Sequence, residues 1–222
     1  MYAIAYTRRN LRSYLESMSH FKVSILDGWV GGWALVLEIR SVALSNHALH
    51  LKFTFFALHP KIREILMVVL LDNIRSLHNV GSILRTADAV GVEKLYLCGI
   101  TPSPLDRFGV VRGDVAKVAL GAERTVPWEK VASTGRLITN LKRKGFKVFA
   151  LEQSPHSVSY NKLSSKAYNF DRVALVLGAE VGGVSPAILK KCDKIIEIPM
   201  LGNKESINVS VAFGVAAFRL RD

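Results

Sequence analysis

The chain has 222 residues, half of them hydrophobic and 22% charged, with a formal net charge of +12. That composition supports one large domain, or a domain with an appendage, and excludes a disordered chain; the charge points to a polyanionic partner, nucleic acid first, against the plainer readings of solubility or an acidic membrane surface. The two cysteines, Cys98 and Cys192, form no C-x-x-C pair, which excludes a disulfide scaffold and a Cys-rich zinc site and fits small core residues in a reducing cytoplasm.

Residues 1–66 carry weak order signals: a basic start around Arg8, Arg9 and Arg12, a Gly/Trp patch from Gly28 to Trp33, and His47, His50 and His59 without a partner set for a metal. The start lacks the charged, apolar and small-residue order of a secretion signal. The apolar stretch from Val23 to Leu44 is broken by Asp27, Glu38 and Arg40, so it does not read as a membrane span. The expectation is a cytoplasmic protein with no membrane and no metal. Residues 1–66 are expected to be an extension of uncertain fold: an RNA-binding appendage, a lineage-specific appendage, or sequence upstream of a true start at Met67.

From Met67 the pattern becomes regular. The continuous apolar run Met67 to Leu71 reads as a strand covered on both faces, and Asp72-Asn73 ends it. A helix is predicted from Val80 to Val90, with Gly91 as its stop. Strands follow at Lys94 to Cys98, Lys147 to Leu151, Arg172 to Leu177 and Lys194 to Ile198. Helices are expected at Val115 to Leu120, Leu137 to Lys144, Pro186 to Cys192 and Val209 to Leu220. Strands alternating with helices make residues 67–222 an α/β domain with a largely parallel sheet.

Three segments sit where such strands end, which is where sites form in open α/β sheets. In the first, Asn79 can cap a helix or bind a ligand through its amide, and Arg85, six residues on, offers a planar fork suited to phosphate. Alone, Arg85 reads as an ordinary surface arginine. In the second, Gly178 to Ser185, small residues allow close approach to backbone, but neither a P-loop nor a dinucleotide fingerprint is present. Glu180 there is either catalytic or a structural carboxylate holding backbone amides. In the third, Ile198 to Ala212, Ser206 and Asn208 stand before the last helix, where a plain N-cap explains them equally well.

Together, Asn79 to Ala87, Gly178 to Ser185 and Ile198 to Ala212 resemble in order, separation and composition the three motifs of the SpoU-type branch of the SPOUT methyltransferases. The resemblance covers residues 67–222. Val181-Gly182 stands where many members have Gly-Glu, and Ile207 where leucine is frequent; neither change removes a polar group.

The resemblance implies an α/β domain with a C-terminal trefoil knot, a topology that periodicity cannot reveal. It implies S-adenosylmethionine as cofactor, with Gly178, Ile198 and Ile207 lining its pocket and Leu151 and Met200 as additions. It also implies methylation of a ribose 2′-hydroxyl in tRNA or rRNA. Arg85 would be the central catalytic residue, anchoring phosphate rather than acting as a free base, with Asn79, Glu180, Ser206 and Asn208 orienting it, the ribose and the cofactor. A homodimer through the knot region and final helix is implied too. Val211, Val215 and Phe218 fall at helical spacing for that interface, or for their own core. The alternative is a catalytically silent RNA-binding protein on the same fold.

Overall fold

The computed structural model describes residues 29–30, 33–40, 52–58, 65–163 and 171–221. The chain divides into two compact units, Met1–Ile62 and Arg63–Asp222. In the first, β1 (Trp29–Val30), β2 (Trp33–Arg40) and β3 (Lys52–Leu58) form a three-stranded antiparallel sheet in the order β1-β2-β3. The histidines at 47, 50 and 59 and the arginines at 8, 9 and 12 lie outside the described residues.

The second unit is built on β4 (Leu66–Asp72), β5 (Lys94–Cys98), β6 (Trp128–Val131), β7 (Lys147–Leu151), β8 (Val158–Ser159), β9 (Arg172–Leu177) and β10 (Lys194–Glu197). They form a seven-stranded sheet in the order β6-β5-β4-β9-β7-β10-β8, parallel at every pairing. The helices are α1 (Leu77–Val90), α2 (Gly113–Ala119), α3 (Ala122–Thr125), α4 (Thr134–Arg143), α5 (Pro186–Leu189) and α6 (Val209–Arg221).

The apolar runs are continuous because the central strands are buried on both faces. Met67, Val69 and Leu71 of β4 join one core with Val173, Leu175 and Leu177 of β9. Val68 and Leu70, one residue out of phase, join the other with Ala174, Val176, Val148 and Ala150. This is the period-two alternation of a strand serving two layers. The first core is closed by Ile83, Leu84 and Ala87 of α1 and by Phe213, Ala216 and Leu220 of α6. The second is closed by Ile138 and Leu141 of α4. Each fully buried Leu, Ile, Val or Phe contributes about 1.5–3 kcal/mol relative to exposure.

Local chemistry sets the helix ends. α1 starts at Leu77, three residues before the expected Val80, because Ser76 caps it, its hydroxyl accepting from Asn79 N at 3.2 Å. It stops at Gly91, whose φ of 75° lets its N–H reach the carbonyls of Ala87 and Asp88. α4 likewise starts earlier than expected, capped by Ser133. Among the described residues no helix is long and apolar enough to cross a membrane.

Candidate active site

The site lies at the carboxyl ends of β4, β7, β9 and β10. β4 ends in Asp72 and Asn73. Asp72 is buried and accepts from Thr134 Oγ1 at 2.5 Å, while Asn73 adopts a left-handed φ of 60°. That turn throws the chain into Arg75 and Ser76, whose N–H groups point at the loop after β9. Glu180 meets them there, Oε2 accepting from Arg75 N at 3.0 Å and Oε1 from Ser76 N at 3.1 Å. Oε1 also accepts from Asn79 Nδ2 at 2.8 Å. Partial burial pushes the Glu180 carboxyl up. The N–H of Arg75, the Asn79 amide, its own N–H and the N–H of Ser76 together outweigh that, and hold it below the usual carboxylate range.

Asn79 is therefore not the cap of α1, as its residue type suggested. Ser76 takes that role, and the Asn79 side chain, in a residue only 6% exposed, is freed to bridge. Its Oδ1 accepts from Asn208 Nδ2 at 3.0 Å. Asn208 precedes α6 and also serves it: Oδ1 accepts from Ser210 N at 2.8 Å and Ser210 Oγ at 2.6 Å, while its carbonyl accepts from Ala212 N. Asn208 thus caps α6 and also bonds the Asn79 amide. Glu180 likewise holds backbone amides and touches Asn79 together.

Arg85 sits nearly two turns along α1 from Asn79, exposed, its side chain making no hydrogen bond or ion pair among the described residues. Ser206 is exposed in the loop before α6 and also makes no hydrogen bond among them. The structure thus links Asn79, Glu180 and Asn208 directly and leaves Arg85 and Ser206 outside that chain of bonds.

Leu151, Gly178 and Ile198 fall at the ends of three adjacent strands. Leu151 pairs with Leu177, just before Gly178, and with Ile196 in β10. Gly178 is buried, and a Cβ there would overlap the backbone of Gly183 and Val184. Only glycine permits this doubling back, and it leaves a rim of backbone groups at the strand ends. Met200 is half-buried and Ile207 is 40% exposed in the loop that follows β10. The apolar side chains of Leu151, Ile198, Met200 and Ile207 stand near these backbone groups in sequence and fold, a set that suits a ligand with apolar and polar parts.

Glu152 was not legible from sequence. Its N–H donates to Ile196 O, while its Oε2 accepts from Val184 N at 2.7 Å and its Oε1 from Gln153 N at 3.0 Å. Gln153 Nε2 reaches Glu205 O at 2.6 Å. These two residues join the glycine loop 178–185 to the loop 199–208. A carboxylate after a strand carries no signal of that role. Among the described residues, no group of three His, Cys, Asp or Glu side chains is placed to hold a metal ion.

A sequence model of the SpoU rRNA methylase family matches residues 66–218. The 23S rRNA (guanosine-2′-O-)-methyltransferase RlmB of Vibrio cholerae is 35% identical over 153 residues, 68% of this chain and 57% of that protein. The chain thus spans little more than half the length of such relatives. Among solved structures, the A. aeolicus TrmH/SpoU tRNA modifying enzyme matches with a TM-score of 0.60 at 33% identity, over 72% of this chain and 76% of that one. An AdoMet-bound rRNA methyltransferase from Sinorhizobium meliloti matches with a TM-score of 0.61 at 25% identity, over 71% of this chain and 56% of that one.

Proposed function

The chain belongs to the SpoU rRNA methylase family, and from that premise we propose that residues 67–222 transfer a methyl group from S-adenosylmethionine to a ribose 2′-hydroxyl of tRNA or rRNA. The observation that carries the reading is the Glu180–Asn79–Asn208 chain of hydrogen bonds, which joins one residue from each of the three motifs. The relatives' names, all RNA methyltransferases or RNA-modifying enzymes, agree with it.

S-adenosylmethionine supplies a methyl carbon already activated by its sulfonium. Leu151, Gly178, Ile198, Met200 and Ile207 would hold it at the strand ends. The protein's own task is to place the 2′-oxygen in line and ease loss of its proton. Arg85 binds the neighbouring phosphate through its guanidinium, whose free state among the described residues leaves its donors available. Held there, the cation would also stabilise the negative charge that develops on the 2′-oxygen as its proton leaves, ahead of methyl transfer. Glu180 fixes the start of α1 by its backbone amides, and Asn79 and Asn208 fix α1 against the third motif. Ser206 contacts the ribose from the loop. The attacked group is the one DNA lacks, which selects RNA.

The fold carries the family's trefoil knot, a reading supported by the contact of the two C-terminal loops through Glu152 and Gln153. The protein works in the cytoplasm as a homodimer through α6, whose Val211, Val215 and Phe218 are 55%, 37% and 54% exposed, while Phe213, Ala216 and Leu220 face the core. Residues 1–66 form an appendage, a division supported by the compact unit Met1–Ile62.

The test is transfer of labelled methyl from S-adenosylmethionine to unmodified RNA, with the product ribose mapped. Arg85→Ala should lose transfer by at least about a hundredfold while melting within about 0.5 kcal/mol of wild type, as for an exposed residue without partners. Full transfer by this variant would remove Arg85 from the mechanism. Absence of cofactor binding by the wild type would favour the silent RNA-binding alternative.

A further inference from the structure

The segment leaving β5 is bound to the first motif from its outset. Ile100 N donates to Asn73 Oδ1 at 3.2 Å and Ile74 N to Thr101 Oγ1 at 3.0 Å, while Thr101 Oγ1 donates to Leu71 O at 2.7 Å. Thr101 is fully buried, so this clasp is shielded from water. The segment then rises into a tight turn. Leu105 bridges Val111, Asp106 N donates to Val110 O, and Asp106 Oδ1 accepts from Phe108 N at 2.8 Å and Val110 N at 2.9 Å. The chain returns as α2, which packs on α1 where a Cβ at Gly81 would meet Val115 O at 3.0 Å.

At the tip of this turn Phe108 is 74% exposed. The Arg107 guanidinium lies 4.7 Å from the centre of its ring, over one face. Arg112, on the returning side of the turn, is exposed, and its Nε donates to Leu105 O at 3.3 Å. An aromatic left in water forgoes the gain of burial, and here the backbone and side-chain bonds of the turn hold it there. A groove of about 510 Å³, lined by Leu77, His78, Asp114, Lys117 and Val118, lies between α2 and the start of α1.

We propose that Phe108 is a stacking platform for an unpaired base of the RNA substrate, with Arg107 and Arg112 at its flanking phosphates. The RNA strand runs from there along the groove toward α1. This rests on the RNA-methylating reading and deepens it by naming how the strand is gripped. RNA exposes bases in loops and bulges, and proteins hold them on aromatic faces and guanidinium planes. A second copy of this turn is the wrong occupant, since it would bring Arg107 and Arg112 against the same two cations.

The test is fluorescence anisotropy with a labelled single-stranded RNA of mixed sequence and with a fully abasic ribose–phosphate strand of the same length. Phe108→Ala should bind the base-bearing RNA roughly tenfold more weakly and the abasic strand as wild type does; Phe108→Trp should restore binding. Equal binding of the base-bearing RNA by wild type and Phe108→Ala overturns the inference. So does an equal loss on both strands, which marks a structural effect, or a changed sedimentation coefficient, which marks a contact between copies. Wild-type protein that binds no RNA fails the functional reading itself. Stacking without methyl transfer leaves the platform standing and removes the transferase assignment.

Discussion

Asn79 Oδ1 accepts a hydrogen bond from Asn208 Nδ2 across 129 positions of sequence, at 3.0 Å, while the other end of the same amide is held by Glu180. One side chain thus satisfies two elements, and neither donor nor acceptor end of its amide is spare. Asn79→Ala strips both bonds, leaving Asn208 Nδ2 without its acceptor and Glu180 with backbone donors alone. The expected cost is about 1–3 kcal/mol of stability and most of the methyl transfer. Paired thermal melts and transfer assays check it. Asn79→Asp should fare no better, because a second carboxylate would face Glu180 and can only accept.

Gly178 has backbone where any side chain would stand. Gly178→Ala should therefore displace the loop carrying Gly183 and Val184, at a cost of roughly 1–3 kcal/mol. Calorimetric titration with S-adenosylmethionine should show affinity lost by more than that stability change explains. Retained cofactor affinity would place the pocket elsewhere.

The Glu180 carboxyl is held below its ordinary range once its hydrogen bonds overcome partial burial. A depressed folded value makes its contribution to stability fully present above the unfolded value of about 4.3 and lost as pH falls through the folded value. Urea unfolding of wild type and Glu180→Gln should therefore differ by a constant amount between about pH 5.5 and 7. The difference should shrink below about pH 4.3. A gap that widens on acidification would contradict the bonding described.

Burial pushes the Cys98 thiol up to about 11 and the Cys192 thiol up to about 12. Both should resist a thiol reagent at pH 8 in the native protein and react on addition of denaturant. Counting modified thiols with and without denaturant checks this. Rapid native labelling of Cys98 would contradict its place at the end of β5 in the core shared with α4.

Legibility from sequence followed burial. The strands Lys94–Cys98, Lys147–Leu151 and Arg172–Leu177 lie where their continuous apolar runs predict, because two layers cover them. β6 escaped notice because it pairs on one side only, and Glu129 and Lys130 face solvent. β8 is two residues long, and in the first unit the Gly31-Gly32 turn signal between β1 and β2 reads in the sequence only as part of a Gly/Trp patch. At the site, the three motifs were visible separately. Their junction was not, since hydrogen-bond partners 101 and 129 positions apart leave no periodic trace. Ser76 took the cap expected of Asn79 because it stands three residues nearer the strand, where the chain is still extended. Glu152 left no mark because its partners are backbone amides, which every residue but proline offers.

The separation between partners also sets an order of events. The bonds of Glu180 reach back 104 and 105 positions to Ser76 and Arg75, and that of Asn208 reaches back 129 to Asn79. Loop closure over such spans comes late and slows folding. During synthesis α1 and β4 emerge long before their partners, so a nascent chain halted short of Asn208 leaves the Asn79 Oδ1 without its donor. Assembly of the catalytic constellation is thereby postponed until the third motif has left the ribosome.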